Sequence, residues 1–69
     1  MKIIEIQTEF IKLDQFLKHA GLTGSGVDAK FIIKEESVKV NGEIETRRGR
    51  KLRNGDTIEY MGESYKISQ

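Results

Sequence analysis

Covalent catalysis needs a nucleophile beside a general base, and this chain has one histidine, His19, and no cysteine. His19 follows Lys18 at what reads as the last turn of a helix, where the helix dipole favours an imidazolium; that accounts for it without catalysis. A zinc site needs three or four ligands at close spacing, and none are so arranged. The acidic residues are scattered, and the neighbours Glu35 and Glu36 would not face each other on a helix, so they make no acid–base dyad. What is concentrated is positive charge. Arg47-Arg48-Gly49-Arg50-Lys51-Leu52-Arg53 carries five cations and no anion, whereas residues 1–46 and 54–69 are each slightly acidic, so that the whole chain carries a net charge of only +1. Such a segment has the chemistry of a polyanion site, because lysine and arginine neutralise phosphates and release their counterions. The plainer alternative is a solvated basic loop, and a third reading is a small adaptor whose loop docks on an acidic protein partner.

The elements that must carry this segment are short. Met1–Gln7 is β-branched and reads as a strand. Between Lys12 and Ala20 the apolar residues Leu13, Phe16, Leu17 and Ala20 fall at helical spacing, with Asp14 in the first turn and Gly21 as the stop. Ser25 is placed to cap a second helix over about 26–36, with Asp28 able to return the bond as in a capping box. On that helix Ala29, Ile32 and Ile33 form the core side, while Val27, Lys30, Phe31 and Lys34 fall towards the opposite side. Phe31 is expected to pack internally, since aromatics are usually buried. From Ser37 the period becomes two. Val38 and Val40 lead into Asn41-Gly42, a type I′ hairpin pair, with Glu43–Thr46 as the returning strand. Thr57–Tyr60 and a strand containing Tyr65 and Ile67 follow, with both tyrosines inward. The order β-α-α-β-β-β-β predicts an α+β fold, two short helices packed on a small, mostly antiparallel sheet.

At 69 residues and 36% hydrophobic content, one small domain over 1–69 is expected. With no cysteine there is no disulfide framework, and no apolar run approaches the roughly 20 residues that span a bilayer. The expectation is a cytoplasmic monomer with no membrane contact, no metal and no small-molecule cofactor.

Several of these residues recur together in one family. Lys12-Leu13-Asp14, Ser25-x-x-x-Ala29-x-x-x-Ile33, Val38-x-Val40-Asn41-Gly42 and Gly55-Asp56-x-Ile58, in this order over about 11–59, resemble the RNA-binding domain of small-subunit ribosomal protein S-four, with its αL motif. The Gly42–Asp56 stretch is similar to the small stand-alone bacterial branch, the YaaA/YbcJ type. The resemblance implies a non-catalytic protein that binds structured RNA, ribosomal RNA or ribosomal particles, with a role in ribosome assembly or maturation. Carried over by position, it implies that Lys12, Asp14, Ser25, Lys30, Lys34, Lys39 and Asn41 belong to the RNA-binding set, with the Asn-Gly hairpin near the helix surface. The charge pattern adds Arg47, Arg48, Arg50, Lys51 and Arg53. Three departures stand out: Gly26 where an arginine is usual, Phe31 at a frequently basic site, and Glu36 where the helix often ends on glycine. They shift the expected weight of binding from the helix to the basic segment.

Overall fold

A computed structural model describes all residues, Met1–Gln69. The elements follow as β1 (Lys2–Glu5), β2 (Ile11–Lys12), α1 (Leu13–His19), α2 (Gly26–Lys34), β3 (Val38–Val40), β4 (Glu43–Ile44), β5 (Lys51–Leu52), β6 (Thr57–Tyr60) and β7 (Glu63–Ser68). Five strands form one sheet in the order β1-β7-β6-β3-β4, antiparallel except for the parallel pair β1–β7. The α+β reading with two short helices on a mostly antiparallel sheet describes this architecture.

Both helices start and stop for local reasons. In α1, Leu13, Phe16 and Leu17 are fully buried, and Asp14 and Lys18–His19 suit the two poles of the dipole. The helix ends in a Schellman arrangement: Gly21, at φ +76°, donates to the Lys18 carbonyl and Leu22 donates to that of Leu17. In α2, Ser25 is the N-cap and its hydroxyl accepts from the Asp28 N–H at 3.3 Å, but Asp28 returns no bond, so only half of the expected capping box forms. The helix stops two residues earlier than expected. Glu36 takes the left-handed C′ position, φ +61°, that glycine usually occupies.

One core joins the layers. Phe16, Leu13 and Leu17 of α1 and Ala29 and Ile33 of α2 meet Val38, Val40, Ile58, Tyr65 and Ile67 of the sheet. Phe16 stands edge-on to Tyr65 with ring centroids 5.7 Å apart. Tyr65 is buried and Tyr60 half-buried, as the alternation predicts. Asn41 and Gly42 have φ of +51° and +86°, which is what a type I′ turn requires. The β6–β7 hairpin turns on Met61-Gly62, both left-handed, one residue before the Gly62-Glu63 turn expected from the sequence.

Two further expectations fail. Phe31 does not pack internally: it is 65% exposed. Neighbours Ile32 and Ile33 lie on the other side of the helix and supply the core contacts, leaving Phe31 with the solvent side. The segment Arg47–Arg53 is not a free loop either. Its Lys51–Leu52 pairs antiparallel with Ile11–Lys12 as a second, two-stranded sheet that the expected strand list lacks. Two-residue strands carry too little period to be read from sequence.

Candidate nucleic-acid interface

The N-terminus of α1 is where the basic segment docks. Lys12 is the N-cap of α1 but its side chain makes no capping bond. The first N–H groups of the helix are satisfied instead by the segment's own backbone: Leu13 donates to the Arg50 carbonyl at 2.8 Å and Asp14 donates to that of Arg48 at 3.0 Å. The third, from Gln15, goes to the Asp14 carboxylate at 2.8 Å. Leu52, fully buried, anchors the far end in the core. The basic residues are thus pinned by the helix they surround.

Their side chains are held as well. Glu45 follows β4 on the face of the sheet turned towards the helices and is only 6% exposed. Its carboxylate accepts from the Arg47 backbone N–H at 3.0 Å, from Arg47 Nε at 2.9 Å and Nη2 at 3.0 Å, and from Arg50 Nη1 at 2.8 Å. The Arg47 side chain, ahead of an opposing burial effect and reinforced by Arg50, lowers the Glu45 carboxyl to about 2. The carboxylate in turn raises the Arg47 guanidinium above its ordinary range. Arg48 Nε donates to Asp14 Oδ2 at 3.2 Å. Lys51 Nζ and the Arg53 guanidinium lie over the Phe10 ring, 4.9 and 5.4 Å from its centroid, and Arg53 approaches Glu9 at 3.7 Å.

One register position sets two like charges opposite each other. The β2–β5 register sets Lys12 directly across from Lys51, and neither has a carboxylate partner. Like charges opposite each other in a ladder are destabilising, so this pair concentrates unneutralised positive potential beside the arginines.

Of the residues singled out in the sequence, Lys12, Asp14, Arg47, Arg48, Arg50, Lys51 and Arg53 converge on this one surface. Lys30 and Lys34 are exposed on α2, which packs against α1, and no carboxylate pairs with them. Ser25 is occupied as the α2 cap. The remaining two do not join the set. Lys39 alternates with buried Val38 and Val40, so it emerges on the face of the sheet away from the helices, in register with Glu59 and Ile44. The Asn41 amide is consumed by the fold, donating to Asp56 Oδ1 at 3.1 Å and accepting from the Thr57 N–H at 2.9 Å. The resemblance had implied a hairpin near the helix surface; pleating directs its lysine the other way. Sequence reasoning missed Glu45 and Phe10, the residues that organise the arginines. Glu45 looked like one more scattered carboxylate, although its position between a strand and the basic run was a usable signal. No group of three or more His, Cys, Asp or Glu is arranged to hold a metal ion, and no helix is long and apolar enough to cross a membrane.

Two helices on this sheet, with a basic strand-and-turn segment docked on the first helix, define a small α+β module with its cations gathered on one surface. The S4 domain family model matches residues 4–68, and the chain belongs to that family. It is 51% identical over 59 residues to a probable ribosome maturation protein, RlbA, of Bacillus subtilis, covering 86% of this chain and 83% of that protein. It is 39% identical over 57 residues to the putative RNA-binding protein YbcJ of Escherichia coli, covering 83% and 81%. The solution structure of E. coli YbcJ, described as revealing an αL motif involved in RNA binding, superposes with a TM-score of 0.74 at 33% identity, covering all of this chain and 89% of that one.

Proposed function

We propose that this protein is a non-catalytic binder of structured RNA, specifically ribosomal RNA in maturing ribosomal particles. The observation that carries the reading is the Lys12–Lys51 register pair, which has no carboxylate partner, beside Arg47 and Arg50 held by buried Glu45 and Arg48 held by Asp14. Such an arrangement makes sense for a polyanion that supplies the missing negative charge. The similarity to proteins named for RNA binding and for ribosome maturation supports RNA as that polyanion. Guanidiniums held in place by carboxylates, with unpaired lysines beside them, fit phosphate positions on a folded surface, so the interaction reads shape more than base sequence.

Lys12, Lys30, Lys34 and Lys51 bring a full charge each, whereas the arginines are partly neutralised by Glu45, Asp14 and Glu9. Engagement of about four or five phosphates follows, and log K should fall by about 4 units per tenfold rise in salt. Titration of a folded RNA hairpin and a shuffled-sequence hairpin should give parallel lines of that slope. A slope of about −1, or no binding to either RNA, would overturn the proposal. Crosslinking in cells followed by sequencing of the attached RNA should recover ribosomal RNA; recovery of other RNAs alone would refute the ribosomal part.

A further inference from the structure

Phe31 is the one phenylalanine whose ring has no aromatic or cationic partner: Phe16 packs on Tyr65 and Phe10 lies under Lys51 and Arg53. It is 65% exposed, and Val27, one turn earlier on the same side of α2, is 78% exposed. Burying these groups in water-free contact would be favourable, yet nothing in the chain covers them. Three of the four other large exposed apolar side chains lie on other elements and do not extend the strip. Ile3 and Ile44 are on the outer face of the sheet, and Met61 is at the tip of the β6–β7 hairpin. Two side chains make a surface far smaller than the roughly 800 Å² per partner of a stable protein interface. The charge around them is informative. Lys30 and Lys34 lie one residue before and three after Phe31, on the same exposed side of the helix. Unlike the arginines, they have no carboxylate partner.

An aromatic face beside two unpaired ammonium groups matches one nucleotide unit, an unpaired base with the phosphates on either side of it. We infer that Phe31 stacks on an unstacked base of the bound RNA, with Lys30 and Lys34 holding the adjoining phosphates. This rests on the RNA-binding reading above and adds to it a preference for RNA in which a bulge or loop interrupts the duplex. Every base offers a π-face, so the preference is for an available base and not for a sequence.

The test uses a synthetic RNA hairpin with one bulged adenosine and the same hairpin fully paired. Phe31→Ala should weaken binding to the bulged hairpin about tenfold or more and leave the salt slope unchanged, because stacking releases no counterions. Affinity for the paired hairpin should move little. The chain has no tryptophan, so Phe31→Trp introduces a single reporter, whose emission should be quenched on saturation with the bulged hairpin. Unaltered affinity in Phe31→Ala, or Trp emission indifferent to RNA, would overturn the inference while normal binding by the wild type leaves RNA recognition standing. A wild-type protein that binds neither hairpin would remove both. Sedimentation showing a wild-type dimer that Phe31→Ala converts to monomer would assign the strip to self-association and refute stacking.

Discussion

Replacing Glu45 by glutamine removes the charge that holds Arg47 and Arg50 while keeping the side-chain shape. The carboxyl is lowered from 4.5 to about 2, and at about 1.4 kcal/mol per pKa unit this sets an upper limit of about 3 kcal/mol on its ionic contribution to folding. The Arg47 side chain is 72% exposed, so solvent screens its share, whereas Arg50 at 30% is better shielded. We therefore expect Glu45→Gln to destabilise the protein by about 1–2 kcal/mol at pH 7. The sign follows from a depressed folded-state pKa. The contribution is complete above about pH 5 and is lost as pH falls towards 2, because over that range the unfolded chain takes up a proton at the ordinary carboxylate value while the folded carboxyl stays ionised. Urea denaturation of wild type and Glu45→Gln at pH 7 and at stepped acid pH should give midpoints that differ at neutral pH and converge in acid. A variant as stable as wild type at pH 7 would refute the reasoning, and so would a gap of the same size at pH 7 and pH 2. In the first case the arginines would not depend on the carboxylate; in the second, hydrogen-bond shape alone would account for its effect.

Other outcomes are expected from the same geometry. Lys12→Gln should leave thermal stability unchanged or raise it slightly by relieving repulsion with Lys51, yet should make the salt dependence of RNA binding shallower by about one unit in slope. Phe16→Ala should cost about 3–5 kcal/mol in denaturant titrations, whereas Phe31→Ala should stay within about 0.5 kcal/mol. Ser25→Ala should cost about 1 kcal/mol through the lost α2 cap, with a proportionate fall in thermal midpoint. Glu36→Gly should stabilise the fold by about 1 kcal/mol, since the left-handed position then carries no Cβ strain; a lower thermal midpoint would contradict this.

What the sequence determined by itself is what short-range chemistry decides. Leu13, Phe16 and Leu17 at helical spacing with Gly21 as the stop, Ser25 at the start of the second helix, and Asn41-Gly42 at the hairpin each act over a few residues, and each is where the local pattern puts it. The spacing of these signals also carried the family. Tertiary structure alone decided which charges share a surface. Arg48 meets Asp14 across 34 positions of chain, Lys51 faces Lys12 through a ladder only two residues long, and the pleat sends Lys39 to the far side of the sheet. Phe31 is the converse case. Its type argued for burial, but the core side of α2 was already filled by Ala29 and Ile33, with Ile32 packed at its edge. Electrostatic contacts and core occupancy depend on distances between segments remote in sequence, and no local period encodes them.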